Sequence, residues 1–336
     1  MAKFYSSMPL DLVIPHLLLP PDAPPQLRAA RLPSAERWLA RADASDEPGG
    51  DALQWLARSH GLREPFPAAA ISLAGEGREA EGSWLRADPV HLRVENDDLV
   101  LHDASILSLT LDEARELTGA LDAHFAADGF CIDPVAADRW YVRMPEGAPP
   151  RTVPLDQAFG RNIFGMLPRG GDFNWAGALT EAQMVLASHP ANAAREPARP
   201  AVNSVWFWGE GAAPGTIERR YDAIHAGDPF AQGIAKISGA KKLPAATRLE
   251  AVPAEGQVLV VDDSLTTPLR RGDTEAWLAA AALIDEAWFS DLAPALARFG
   301  SVRIVLPSDS RTRVATLTPA ARWRWFRARK PLVTHA

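Results

Sequence analysis

At 336 residues the chain is long for one hydrophobic core and short for three, and its 47% hydrophobic and 23% charged content is that of a globular fold rather than a disordered or fibrous one. A formal net charge of −7 argues against nucleic-acid binding through the overall field, because phosphate contact needs clustered Lys and Arg. Cys131 is the sole cysteine, which excludes an internal disulfide and a cysteine-based zinc site and predicts a reducing, cytoplasmic address.

The first apolar run, Leu10 to Pro20, is broken by Pro15 and His16 and lacks a basic start, so it reads as a buried strand rather than a signal peptide. No stretch approaches the roughly 20 apolar residues needed to cross a bilayer, and no membrane partner is expected. Residues 20–64 read as a peripheral helical excursion, with helices over Ser34 to Ala42 and Asp51 to His60 separated by Glu47-Pro48-Gly49-Gly50. Ala68 to Leu73 is strand-like, and Trp84 to Glu95 with Leu99 to His102 form a hairpin about Asn96-Asp97-Asp98. Leu111 to Ala127 has helical spacing, acids in its first turn and Gly129 to end it. Phe130 to Met144 is extended, and the Pro-rich loop at residues 145–154 marks a sub-domain boundary.

Further on, Thr180 to Ser188 is a predicted helix and Ser204 to Trp208 a strand closed by Gly209-Glu210-Gly211. Val258 to Val261 is a continuous apolar strand ending in Asp262-Asp263. It is followed by a helical region over Thr274 to Ala297, broken before Pro294, and by a strand at Val302 to Leu306. Strand, helix and strand imply a parallel crossover, with Trp277, Ala281, Ile284 and Trp288 facing the sheet. Thr318-Pro319 starts a closing helix through Lys330.

Four groups of residues are able to carry chemistry, and each has a plain structural reading beside it. In open α/β sheets ligands sit beyond the carboxyl ends of strands, where Asp262, Asp263 and Asp309 fall; such carboxylates hold Mg²⁺ or Mn²⁺, but they also cap helices. Arg86, Asp88 and His91 lie within six residues, yet on an extended chain Arg86 and Asp88 share one face and His91 takes the other, which leaves a simple ion pair as the alternative. Asn203 and Trp208 belong to a strand whose glycine turn is able to approach a phosphate, or whose tryptophans are core. Arg322, Arg324, Arg327, Arg329 and Lys330 interleave with Trp323, Trp325 and Phe326. That pattern grips an anionic partner, or forms an amphipathic helix with Trp323 and Phe326 turned to the core. The eight histidines make no H-x-x-x-H pair, so no metal site is assigned; a G-x-S-x-G elbow and a phosphate-binding loop are also missing.

Three blocks carry a family likeness: Arg86-Ala87-Asp88-Pro89-Val90-His91-Leu92; Glu181-Ala182-Gln183-Met184 with His189-Pro190-Ala191-Asn192-Ala193-Ala194-Arg195-Glu196; and Val202-Asn203-Ser204-Val205-Trp206-Phe207-Trp208-Gly209. Over about residues 80 to 336 they resemble the RpfE-type regulatory proteins of proteobacteria, a phosphoglycerate-mutase-like group distantly similar to the archaeal cofactor-independent mutases of the alkaline-phosphatase superfamily. The resemblance implies an α/β fold, a mostly parallel sheet flanked by helices with additional antiparallel strands, expected here as a single domain over residues 1–336. It also implies two divalent metals and a Ser nucleophile near an N-terminal Asp-Gly in the active enzymes. Here Leu10 to Leu19 has no Asp-Gly, Trp208 stands where those enzymes have arginine, Ser310 follows Asp309 where they have histidine, and no histidine lies between His225 and His335.

These departures lead to the expectation of a catalytically degenerate, regulatory or interaction protein that uses no cofactor and binds a protein partner or a small anionic ligand. One rival is an active phosphomutase or phosphatase holding one Mg²⁺ or Mn²⁺ on Asp262, Asp263 and Asp309, with Arg86 or His91 on a phosphate. The other is a nucleic-acid accessory protein using Arg322 to Lys330, which the net charge disfavours.

Overall fold

The computed structural model describes residues 9–19, 23–195, 197–329 and 331–332; Lys330 lies outside them. The strands are β1 (Leu10–Val13), β2 (Asp43–Pro48), β3 (Ser83–Glu95), β4 (Asp98–His102), β5 (Cys131–Ala136), β6 (Arg139–Arg143), β7 (Ser204–Ala212), β8 (Ala223–His225), β9 (Lys241–Leu243), β10 (Val258–Val261), β11 (Val302–Leu306) and β12 (Arg311–Leu317). The helices are α1 (Pro25–Arg28), α2 (Pro33–Arg41), α3 (Ala52–Ser59), α4 (Ala68–Gly75), α5 (Leu111–Phe125), α6 (Leu155–Ala158), α7 (Trp175–Ser188), α8 (Pro190–Ala193), α9 (Pro229–Ser238), α10 (Thr266–Arg270), α11 (Thr274–Ile284) and α12 (Leu292–Phe299).

Where the sequence reads as one domain, the chain folds as two compact units, residues 1–62 with 216–336, and residues 63–215. The 145–154 loop falls inside the second unit, so it does not mark the boundary between them.

The first unit is built on a seven-stranded sheet in the order β2-β12-β11-β1-β10-β8-β9. From β11 to β9 neighbouring strands are parallel, while β12 and β2 are antiparallel. Strands β10 and β11 are parallel as expected, but β1 runs between them and pairs with both. Alternation assigns the faces: Leu10 and Leu12 join Val258, Val260, Val302 and Ile304 in one apolar cluster, which α2, α11 and α12 cover with Trp38, Trp277 and Phe299. Asp11 points the other way. It is fully buried and accepts from the Tyr221 hydroxyl at 2.7 Å and from Arg303 at 2.8 Å. Burial nevertheless pushes its carboxyl above the usual range, against the pull of Arg303 and Tyr221.

Residues 20–64 are therefore no peripheral excursion. Ala35, Trp38 and Leu39 of α2 belong to the core, and β2 is an edge strand of the sheet. The sequence Asp43-Ala44-Ser45-Asp46-Glu47-Pro48 hides a strand because it has neither apolar alternation nor β-branched residues. What holds it is pairing along β12, with Arg311 and Arg313 at 3.2 and 3.3 Å from Asp46. Its charge and Pro48 also protect the edge from further pairing.

The second unit is a five-stranded sheet, ordered β4-β3-β6-β5 with β7 also on β3. Its pairings are antiparallel. Helices α5 and α7 close its core with Leu117, Leu121, Ala178 and Leu186, beside edge-to-face rings of Phe130, Phe173, Trp175 and Phe207. Ala68 to Leu73, which reads as strand-like, is helix α4. A short continuous apolar run has no period to decide it, and its alanines favour the helix.

In the first unit the predicted break before Pro294 is present, at Ser290 and Asp291. A π-helical turn at Asp285–Phe289 follows α11, and Pro294 sits in the first turn of α12, where its missing N–H costs nothing. That turn presents Asp285 to the start of α2, whose own preceding residue, Leu32, caps nothing. The Asp285 carboxylate accepts from Ala35 N at 2.6 Å and Ser34 N at 3.1 Å, a cap supplied from 250 residues away. Asp285→Ala is expected to lower unfolding free energy by about 1–2 kcal/mol, read from urea denaturation, while the exposed control Glu275→Ala changes it by less than about 0.5 kcal/mol.

Candidate functional site

Two places gather the residues singled out by the sequence, one in each unit. In the second unit Tyr141, Arg86 and Trp208 are directly opposed across β6, β3 and β7, so their side chains share a face. The Arg86 guanidinium lies 4.9 Å from the Tyr141 ring centre and 5.2 Å from that of Trp208. Two residues along β3 on the same face, Asp88 accepts from Arg86 Nε at 2.8 Å, with Nη2 at 2.7 Å, and takes the Trp208 indole N–H at 2.7 Å on its other oxygen.

All four side chains are buried, Arg86 at 6% and Asp88 at 1% exposure. Burial works against the Arg86 charge, but Asp88 beside it holds the guanidinium protonated well above its usual range. Burial pushes the Asp88 carboxyl up, and its donors oppose that shift. The Tyr141 phenol, buried and with no hydrogen-bond partner among the described residues, is pushed far above its ordinary value.

The neighbouring candidates are diverted to the backbone. His91 is on the opposite face of β3 and its Nδ1 lies 2.9 Å from Ala201 O. Asn203 bonds both backbone groups of Leu92, at 2.7 and 2.9 Å, extending the ladder past the end of β7. The Gly209-Glu210-Gly211 turn, read as a phosphate approach, is shaped by packing. A Cβ on Gly209, at φ +75°, would meet Ala69 N at 2.9 Å, and one on Gly211 would meet Pro67. Thr152 occupies the turn, accepting from Gly209 N and donating to Glu210.

In the first unit the carboxyl ends of the parallel strands carry His16 after β1, Asp228 after β8, Asp262 and Asp263 after β10, and Asp309 after β11. This is the edge at which open α/β sheets bind ligands. His16 has a left-handed backbone, φ +62°, which sets its ring at the edge instead of continuing the strand. Burial, and then the charge of Arg270, bring its imidazole down to about 4 against the opposing pull of Asp309. At neutral pH it is an uncharged imidazole.

Two of the carboxylates are occupied. Asp262 accepts the Trp288 indole N–H at 2.6 Å and Ser264 N at 3.1 Å. Asp228 caps α9 through Ala231 N at 2.8 Å. Asp263 is pushed up first by loss of solvent, then by Asp228 and Asp262, although one side of it stays open to water. Asp309 is exposed. His225, at the end of β8, has Nδ1 at 3.1 Å from Pro244 O. Among the described residues no group of three or more His, Cys, Asp or Glu converges closely enough to hold a metal ion. The donor set therefore does not fit a paired divalent centre.

Sequence reasoning placed Asp262, Asp263 and Asp309 at this edge but missed His16, Asp228 and Arg270. The Asp228-Pro229 pair is a readable helix start, whereas the left-handed turn at His16 has no local signal. The basic segment also differs from expectation. Past the short 3₁₀ turn Pro319–Trp323 there is no helix among the described residues, and Trp323, Trp325 and Phe326 face solvent at 66%, 74% and 71% exposure.

No protein-family model matches the chain. It is similar to the 2,3-bisphosphoglycerate-independent phosphoglycerate mutase of Methanosarcina mazei, 29% identical over 56% of this chain and 50% of that enzyme. It is also similar to a probable mutase of the same name from Geobacter sulfurreducens, 27% identical over 76% of this chain and 70% of that protein. The chain thus spans about half the length of the first of these relatives.

Among solved structures, a Pyrococcus horikoshii protein aligns with a TM-score of 0.51 at 13% identity, over 93% of this chain and 87% of the other. The cofactor-independent phosphoglycerate mutase of Thermoplasma acidophilum aligns at 0.45 and 16%, over 93% and 90%. By sequence the chain is similar to 2,3-bisphosphoglycerate-independent phosphoglycerate mutases, and it has the mixed α/β fold described above. These relatives overturn the expectation that it uses no cofactor, since the resemblance ties mutases of this kind to divalent metals.

Two outcomes test the geometry. Arg86→Met leaves Asp88 buried without its cation and is expected to cost about 3–5 kcal/mol, whereas Arg86→Met with Asp88→Leu recovers most of that loss in urea denaturation. At the sheet edge, a histidine whose folded value lies below its unfolded 6.5 loses stability as pH falls from about 6.5 to about 4. The parent protein is therefore expected to lose up to about 3 kcal/mol more than His16→Asn over that window, by unfolding curves at pH 7, 5.5 and 4.5.

Proposed function

We propose that this protein is a phosphoglycerate-mutase-like chain whose phosphotransfer chemistry has degenerated and which acts by binding, in a regulatory or interaction role. The observation that carries this reading is the state of Asp262. The carboxylate best placed for chemistry at the strand edge is closed by Trp288 and by its own turn. The absence of a three-ligand cluster among the described residues supports the same reading.

Arg86 gives no opening for a phosphate, because Asp88 already neutralises it. That buried pair is therefore read as structural and not as a ligand site. The regulatory half of the proposal draws on the sequence blocks at Arg86 to Leu92, Glu181 to Glu196 and Val202 to Gly209 and their likeness to the RpfE-type proteins, whereas the relatives found by comparison are mutases.

The test is interconversion of 3- and 2-phosphoglycerate, with hydrolysis of p-nitrophenyl phosphate, by the full chain in Mn²⁺, Mg²⁺ and Zn²⁺. A thermal-shift series in the same metals runs beside it. The expected result is turnover indistinguishable from the metal-only blank. Metal-dependent turnover that Asp263→Asn abolishes while the melt stays intact would establish an active enzyme with an altered site instead. A metal held at 100 times its Kd would raise stability by about 2.7 kcal/mol, a shift large enough to see.

A further inference from the structure

The segment closing the first unit places three large aromatic side chains in water within four residues, Trp323, Trp325 and Phe326. Soluble proteins seldom keep such a cluster exposed without use. Two of the arginines around it are structural. Arg324 donates to Arg41 O and pairs with Asp43 at 2.6 Å; Arg327 donates to Ala42 O at 2.8 Å and lies 3.6 Å from the same Asp43. These bonds staple the segment to the end of α2.

Four other arginines have no acidic partner among the described residues: Arg37 and Arg41 on α2, and Arg322 and Arg329 on the segment. Arg37 and Arg41 each lie 5.5 Å from the Trp38 ring centre, and Arg322 covers the Trp323 ring at 4.9 Å. The bonds of Arg324 to Arg41 O and of Arg327 to Ala42 O set the segment against the end of α2, which joins their free arginines in one positive patch. In a chain of net charge −7, four unpaired guanidinium groups gathered beside exposed aromatics are a local reversal of sign.

We propose that this patch docks a short acidic segment of another protein, one that alternates carboxylates with aliphatic or aromatic side chains. The proposal names the partner chemistry for the interaction role above and rests on that reading. Guanidinium groups match carboxylates two bonds at a time, and Trp with Arg is the pairing that dominates tight protein contacts. A second copy in a two-fold contact would set arginines against arginines. A nucleic-acid strand or an anionic bilayer runs well past four arginines and meets the acidic remainder of the surface, whereas charge is screened within about 8 Å at physiological salt. A short acidic segment ends where the patch ends.

The test uses the full chain and a fluorescein-labelled 12-residue peptide of alternating Glu and Leu. The rival probes are the matching Lys peptide, vesicles of equal phosphatidylglycerol and phosphatidylcholine, and a 20-nucleotide oligo-dT. The expected result is saturable binding of the acidic peptide, weakened roughly tenfold between 0.1 and 0.5 M salt. It should weaken at least tenfold in Trp323→Ala/Phe326→Ala and in Arg37→Gln/Arg329→Gln, with Tm unchanged because these groups stabilise little where they stand. Tighter binding to vesicles or oligo-dT, equal binding of the Lys peptide, or no binding at all would overturn the proposal. The mutase assay is read separately: turnover would overturn the binding-only reading, while the peptide result decides the patch.

Discussion

The bond from the Trp288 indole to the Asp262 carboxylate, 2.6 Å long, joins the end of a central strand to the π-helical turn on the helical layer. Much of the first unit depends on that one connection. With Trp288 held, the turn carries Asp285 to the bare start of α2, and the cap fixes that helix with Trp38 and Leu39 in the core. Its remaining face then carries Arg37 and Arg41. The same bond that organises this layer occupies a carboxylate at the edge where open α/β sheets bind ligands. One contact thus serves the packing of this layer and occupies a strand-edge carboxylate, in a unit where no group of three or more His, Cys, Asp or Glu converges among the described residues.

The second unit treats its charges in the same way. Arg86 and Asp88 are both buried, and a buried ion is tolerable only when its bonds are filled. Tyr141 and Trp208 sandwich the guanidinium, and the Trp208 N–H takes the second carboxylate oxygen. Of the polar groups in that arrangement, the Asp88 carboxylate is filled on both oxygens, and the Tyr141 hydroxyl is the one without a partner among the described residues. The Arg86 and Asp88 pair fixes strand register, because a one-residue slip of β3 would carry both charges to the opposite face.

How much of this was legible depended on whether a residue's role was set locally. The apolar strand Val258–Val261, the capped helix Leu111–Phe125 and the hairpin about Asn96 carry their signals in their own residues, and the sequence reading found them. The opposed faces of Arg86 and His91 followed from period two alone. By contrast, β2 is a strand only because β12 pairs with it, and α4 is a helix its apolar run could not declare. The edge site was read in half: carboxylates next to an apolar strand are visible, but the left-handed turn that brings His16 to the same edge is a tertiary outcome. The closing segment failed for a related reason. Helical periodicity assigned Trp323 and Phe326 to a core, whereas pairing of Arg324 and Arg327 with Asp43 pins the chain in an irregular path that turns the rings outward.

That last difference bears on the binding role proposed above. A catalytic edge requires carboxylates left underpaired, which strains stability, and a chain relieved of that demand is free to fill them. Filling Asp262 has a geometric consequence as well as an energetic one, because the turn that reaches it sets the position of α2, and α2 is half of the positive patch. Four arginines with no acidic partner among the described residues stand beside three rings in water, on the surface proposed above to bind.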